Sequence, residues 1–546
     1  MPANARTADR DARARLRAAM TFEPERARQY AARGWWREET LSGWLAERAA
    51  EAPDRDAIVA PEGRMSYQEL AARVERFAGA LTELGIARGD VVCVQLPNNT
   101  EFVLTLLAAA RVGAVASTVH MPYREAEMET LLGHARARAV VCLAERSGHP
   151  AAAAYARLRE RLPVLAHVIA VGDAPAGTLA FADLVANGRP GPVGDPPRGG
   201  DPYLLVYTSG TSAAPKGVPL SHQNMLSNAR LNAPDYALTG DDVFLSAAPF
   251  THLFGLYCLH LSLHVGGTNV LLPTFAPPLL ASTIESARPS ILIAVPAHLN
   301  ACLGAGLFDA HDVSSLRIVV VSGSASGPAL VHAMSAKMPA GRYVHLWGMS
   351  ELQCGAFTRA DDPIEVAARS AGRACPGNEL RVVDETGRPV PVGEDGELQV
   401  RGCSVFPGYY ENDQANSSAF TAEGWFRTGD LARLDEDGNV SITGRQRDLI
   451  NRGGVKYNPL DVELLIDGHP SVQQSAIVPI PDPVLGERAC CFVVPAPGET
   501  PTLEALCAYL TEHNIARHKL PERLEIIDEM PLTPTRKVIK GRLVPR

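Results

Sequence analysis

The 546-residue chain carries a net charge of −9 at pH 7 and a pI near 6.0, which excludes a general attraction to nucleic acid or an anionic membrane. Its length exceeds what one hydrophobic core serves, so at least two domains are expected in a soluble globular class, and any polyanion must be met locally. The ten cysteines form no CxxC pair, and the adjacent Cys490 and Cys491 sit in an apolar run, ACCFVV; they read as buried thiols in a reducing, cytoplasmic setting.

The charged start, MPANARTADRDARARLRAAM, lacks an apolar core, so no signal peptide is expected. The most apolar helix candidate, FVLTLLAAARVGAVAS, is interrupted by Arg111, so no membrane span is expected. Helical patterns such as LSGWLAERAAEA and YQELAARVERFAGALTELG alternate with the apolar runs VVCVQLP, AVVCLAE and HVIAVG, which argues for α/β layers with helices covering sheets. Residues 172–202, rich in Pro, Gly and Ala, read as a surface connection. The runs NVLLP, ILIAVP and RIVVVSG carry the α/β texture to about 350. From 377 the texture turns to short strands with Gly and Asp turns, and from about 448 to a small α+β pattern of about a hundred residues that ends in the basic tail TPTRKVIKGRLVPR.

Only six lysines stand against 46 arginines, so each surviving lysine merits inspection as a compact point charge that the planar guanidinium does not imitate. Lys216 closes YTSGTSAAPKG (207–217), where an apolar run breaks into hydroxyls, glycines and one cation, a composition suited to phosphate oxygens. A Walker-type P-loop is excluded, because Lys216 is followed by Gly217 and the strand-like VPLS instead of a hydroxyl opening a helix. In HLWGMSEL (345–352), Trp347 offers a π-face for a base and Glu351 a hard oxygen ligand for Mg²⁺. In GWFRTGDLARLDEDGNVSITGRQRD, Asp430 follows a Thr-Gly turn and Arg445 follows a strand; a carboxylate there can accept both ribose hydroxyls, and an arginine can span ribose and phosphate. Each cluster alone has a bland reading: core tryptophan, solvated glutamate, hairpin turn, and, for Lys537 in PLTPTRKVIKGRL, a basic tail.

Together, in this order and at these separations, YTSGTSAAPKG, WGMSE, GWFRTGD, GRQRD and PLTPTRK resemble the signature of the adenylate-forming superfamily, which includes acyl-CoA synthetases, luciferases and the adenylation domains of peptide synthetases. The resemblance runs from about residue 40 to the end. It implies an N-terminal extension (1–38) and a large α/β domain of layered sheets (39–446) with a β-rich subdomain from about 377. A small, mobile α+β C-terminal domain (447–546) would follow. Thr208, Ser209, Gly210, Thr211, Ser212 and Lys216 would cradle the β- and γ-phosphates of ATP. Gly323, Ser324, Ala325, Gly348 and Ser350 would complete the nucleotide site, with Trp347 near adenine and Glu351 on Mg²⁺. Asp430 would take the ribose hydroxyls, assisted by Arg445. Lys537 would bridge the substrate carboxylate and ATP, Arg447 would be the hinge, and Gly453 and Gly454 would admit the pantetheine arm of coenzyme A.

The chain departs from that pattern at Ala213, at Ser212 and Ser350, at Trp347, and at Arg536, which stands where a glycine usually precedes the lysine and where a Cβ resists left-handed angles. The segment SAAPFTHLFGL (246–256) lacks the aspartate that amino-acid-activating relatives use for a substrate amine. His252 matches a gating histidine of fatty, cyclic and aryl acid ligases, and Phe250, Leu253 and Phe254 suit an uncharged acyl group; a satisfied core histidine is the plainer reading. The chain resembles both cyclohexanecarboxylate-type acyl-CoA ligases and aryl-acid ligases, but Leu253 replaces the asparagine that the latter use on an aryl hydroxyl. These features imply ligation of an aliphatic, alicyclic or simple aromatic acid to coenzyme A. Loading of a carrier protein, or a non-catalytic nucleotide-binding role, are the alternatives. No nucleic-acid or integral membrane partner is expected.

Overall fold

The computed structural model describes residues 13–191, 196–208, 216–533 and 536–545. A seven-stranded sheet runs in the order Leu179–Ala180, His167–Val171, Ala137–Leu143, Val91–Gln95, Val115–Thr118, Pro202–Thr208, Lys216–Ser221. Its neighbours are parallel except the final pair. A nine-stranded sheet runs Arg373–Ala374, Gln353–Phe357, Arg342–Met349, Ile318–Val321, Ile291–Ala294, Val243–Ser246, Thr268–Val270, Asp56–Ala60, Gly63–Ser66, parallel in its middle and antiparallel at both margins.

Strand periodicity builds the layers. Val92 and Val94 of the first sheet share one core with Ile291, Ile293, Ile318 and Val320 of the second, and the helices Tyr67–Glu83, Thr100–Val112 and Leu253–Val265 fill it. The alternate residues face outward into separate cores: Val91 and Cys93 under Glu125–Ala135 and Ala151–Leu158, and Leu292, Ala294, Val319 and Val321 under Pro277–Ala287 and Pro328–Lys337. With both faces covered, these strands read as unbroken apolar runs, and each buried Ile or Val contributes roughly 1.5–3 kcal/mol relative to exposure.

Two sequence expectations differ from the structure. The run FVLTLLAAARVGAVAS is not one helix: the helix ends at Val112, Gly113 takes φ +72°, and Val115–Thr118 becomes an inner strand. The left-handed angle suits a residue without a Cβ, so the glycine ends the helix where the sheet needs a strand. The connection at 172–202 also holds ordered structure, a short edge strand Leu179–Ala180 and the helix Phe181–Asn187.

A third, four-stranded antiparallel sheet follows, in the order Asn378–Val383, Gly396–Gly402, Phe426–Leu434, Val440–Arg445. The smaller C-terminal unit is built on the hairpin Val472–Asp482 and Gly486–Pro495, flanked by Ile450–Arg452, Val455–Tyr457 and a parallel strand Arg523–Ile526. Cys491 and Val493 pack on Leu460–Ile466 and Leu503–Glu512, while Cys490 and Phe492 face Met530 and Leu543. All ten cysteines are free, and burial raises the Cys490 thiol to about 11. No helix among the described residues is long and apolar enough to cross a membrane.

Ile293 is fully buried between the sheets. Ile293→Ala is expected to cost about 2–5 kcal/mol, read as a lower urea midpoint at unchanged slope; an unchanged midpoint would contradict the shared core.

Candidate active site

Strand Arg342–Met349 ends in a turn that sets Trp347 and Glu351 on the rim of the second sheet, where parallel strands leave a crevice at their carboxyl ends. Glu351 is buried, and its Oε1 accepts the Tyr409 hydroxyl at 2.8 Å. The Lys216 ammonium lies over the Tyr409 ring, 5.2 Å from its centre. Asp430 is buried too: its Oδ1 lies 3.0 Å from Arg445 Nε, and its Oδ2 accepts the Trp347 indole N–H at 2.9 Å. Asp430 and Arg445 face each other across adjacent strands. Thr428 and Gly429 do not form the expected turn; they lie inside the strand Phe426–Leu434, with Gly429 at φ +70° and the ladder slipping register nearby. Thr428 Oγ1 accepts the Asp430 N–H at 3.1 Å, which fixes the carboxylate's backbone.

These charges act on one another. Burial raises Glu351 above the usual carboxylate range, opposed by the Tyr409 hydrogen bond and by Lys216 and reinforced by Asp430. The half-buried Lys537 ammonium is lowered to about 8 by burial, then by Arg445, while Asp430 and Glu351 oppose the shift and Arg447 adds to it. His252 is held neutral by burial, with Lys537 and His120 contributing. Its Nδ1 accepts the Phe254 N–H at 3.2 Å and caps the helix Leu253–Val265, and its ring stacks 6.2 Å from His120. Lys216, Glu351, Asp430, Arg445, Lys537 and His252 therefore converge, although they come from three sheets, a helix N-terminus and a terminal loop.

The loop carrying Lys537 closes on itself. Thr533 N–H donates to Lys537 O at 2.7 Å, Arg536 N–H to Thr533 O at 2.8 Å, and Lys537 N–H to Thr533 Oγ1 at 3.0 Å. Arg536 takes φ +60°. A short hairpin of this kind uses a left-handed residue just before the second strand, which is why glycine suits the position. The arginine accepts that angle at a cost on the order of 1 kcal/mol.

The remaining sequence candidates fall as follows. Thr208 ends its strand opposite Lys216, whereas Ser209, Gly210, Thr211 and Ser212, with Ala213, lie outside the described residues. Gly323, Ser324 and Ala325 follow the strand Ile318–Val321, with Gly323 at φ +97°. A Cβ on Gly348 would fall 1.9 Å from Gln353 O, so the strand pair there needs glycine. Ser350 is half-buried. Arg447 is exposed in a 3-10 turn, Gln446–Asp448, and pairs with neighbouring Asp448 at 3.7 Å. Gly453 and Gly454, at φ +62° and +89°, form the exposed tip of the hairpin Ile450–Arg452/Val455–Tyr457, where Gly453 N–H donates to Leu485 O at 2.7 Å.

Sequence reasoning missed Tyr409. Its signal, the apolar SVFPGYY, resembles ordinary core packing; the bridge between Gly217 and Tyr410 and the Phe406 N–H donating to Glu351 O at 2.8 Å bring it to the lysine and Glu351.

A layered α/β unit followed by a smaller α+β unit is the fold of adenylating enzymes. The solved anthranilate CoA ligase in complex with anthranoyl-AMP superposes with a TM-score of 0.85 at 26% identity, over 92% of this chain and 96% of that one. The chain belongs to the AMP-binding enzymes: that family matches residues 45–410, and the AMP-binding enzyme C-terminal domain matches 461–537. It is 35% identical to the salicyl-AMP ligase / salicyl-S-ArCP synthetase of Mycobacterium tuberculosis, over 96% of this chain and 93% of the relative. It is 36% identical to a salicylyl-CoA synthase / salicylate adenylyltransferase of Streptomyces sp, over 95% and 96%. The protein is an AMP-forming, adenylate-forming ligase.

Removing the Tyr409 hydroxyl takes away a hydrogen bond that holds Glu351 down. Tyr409→Phe is expected to move the acid limb of adenylation toward higher pH, because Glu351 then needs a higher pH to ionise. A pH profile of ATP–pyrophosphate exchange with an unmoved acid limb would contradict this coupling.

Proposed function

We propose that this ligase activates an aryl carboxylic acid with ATP and passes the acyl group to coenzyme A. The observation that carries the reading is the convergence of Lys537 on Asp430 and Glu351 beside Lys216. In the first step an acid oxygen attacks the α-phosphorus, a P–O bond forms, the bond to the bridging oxygen breaks, and pyrophosphate leaves. Lys537 neutralises charge building between carboxylate and α-phosphate, Lys216 with Thr208 and the 209–212 hydroxyl loop holds the outer phosphates, and Asp430 accepts the ribose hydroxyls beside Arg445. Gly323, Ser324, Ala325, Gly348 and Ser350 shape the nucleotide wall around Trp347, whose indole also fixes Asp430.

Glu351 fits a magnesium ion: it is a buried carboxylate, anchored by one hydroxyl, beside a phosphate-facing lysine. Bound there, the ion would offset phosphate charge. In the second step the thiol sulfur attacks the acyl carbon and AMP leaves with the acid's oxygen, the thiol proton passing to solvent. For this step we place the hinge at Arg447, between a large domain ending at 446 and a small one beginning at 447. Gly453 and Gly454 then give a tip without side chains for the pantetheine arm.

Buried Phe250, Leu253 and Phe254 beside a neutral His252 favour an uncharged, flat acyl group. The salicylate and anthranilate named for the relatives favour an aryl acid. A carrier-protein phosphopantetheine is the second reading of the acceptor, favoured by the salicyl-S-ArCP synthetase likeness. Leu253, and the CoA activities named for other relatives, favour coenzyme A.

Lys537→Ala is expected to lower adenylation by a hundredfold or more while thiolation of supplied acyl-adenylate persists; equal loss of both half-reactions would contradict the assignment. An ammonium at about 8 loses charge as pH rises through that value. The kcat/KM of adenylation should therefore show a basic limb near 8 that Lys537→Arg shifts upward, and a limb unmoved by Lys537→Arg would assign it elsewhere.

A further inference from the structure

The residue before Lys537 is strained on its backbone and occupied on its side chain. Arg536 sits at φ +60°, yet its guanidinium lies over Phe275, 5.5 Å from the ring centre. Phe275 stacks in turn on His298, at 4.0 Å between centroids and 28° between planes. Phe275 lies just before the helix Pro277–Ala287, and His298 lies in the helix Pro296–Gly304, buried, with its Nδ1 facing the Val295 N–H at 3.5 Å. Both rings thus stand on the frame of the second sheet, whereas Arg536 belongs to the C-terminal loop. Burial, then Arg536, lowers His298 to about 3, so the ring beneath Phe275 carries no opposing charge.

We propose that Arg536 is a positioning residue for Lys537: its stack on Phe275 and His298 latches the lysine loop to the large unit in the orientation used for adenylation. This rests on the reading of Lys537 given above. A glycine there would relax the backbone but forfeit the latch. The arginine trades local strain for a contact between the two units, biasing the enzyme toward its first half-reaction and against the reorientation that thiolation needs.

The test is a double-mutant cycle with Arg536→Gly and Phe275→Leu on the full chain. Arg536→Gly removes strain along with the cation, so loss of folding is not its route of action. A cation–π contact of this exposure corresponds to a roughly two- to fivefold shift in population. The ratio of adenylation to thiolation of supplied acyl-adenylate is expected to fall by that factor in either variant, and the double variant to be no worse than one alone. Hydrogen–deuterium exchange of the segment 272–276 should quicken in Arg536→Gly, a readout that needs no catalysis. Unchanged ratio and exchange, or additive effects of the two substitutions, would overturn the latch. Faster exchange alongside a Lys537→Ala variant that still adenylates would keep the contact and overturn the lysine's assignment instead.

Discussion

Two carboxylates placed out of water set the terms for the rest of the structure. Glu351 and Asp430 are both buried, and each is met by its own partners: a tyrosine hydroxyl and Lys216 for the first, an indole N–H and Arg445 for the second. Unsatisfied charge of this kind destabilises a fold, so the layered sheets are needed to hold four partners from distant segments in register. In the proposed reaction the return is chemical, because a buried site strengthens every interaction with the phosphates and with charge developing at the α-phosphorus. Lys537 comes from the smaller unit, so the proposed site draws on both units.

The fold was largely legible because strands covered on both faces advertise themselves: ILIAVP and RIVVVSG became the strands Ile291–Ala294 and Ile318–Val321. It failed where one apolar run served two elements, since Arg111 within FVLTLLAAARVGAVAS does not mark the boundary and the left-handed Gly113 divides helix from strand. The edge helix Phe181–Asn187 was hidden in a Pro- and Gly-rich stretch, because its stability comes from packing on Tyr67–Glu83 more than from its own propensity.

The site was legible in its charged members and opaque in their supports. Lys216, Glu351, Asp430, Arg445 and Lys537 stood out by residue type and order. Tyr409 did not, because an aromatic in an apolar run looks like core until its hydroxyl is seen on Glu351. Trp347 read as a surface for a base; its N–H proves also to tether Asp430, which no spacing rule reveals. At Arg536 the sequence named the strain and left out its counterweight, since Phe275 lies more than two hundred residues away in the chain.

Attack of the carboxylate on the α-phosphorus is tested by following the acid's own oxygen. Aryl acid with a heavy-oxygen-labelled carboxylate, turned over with ATP and coenzyme A, should yield AMP carrying one labelled oxygen on its phosphate and a thioester retaining the other. Unlabelled AMP, with the lost heavy oxygen found in a released inorganic phosphate or in water, would contradict attack of the carboxylate on the α-phosphorus.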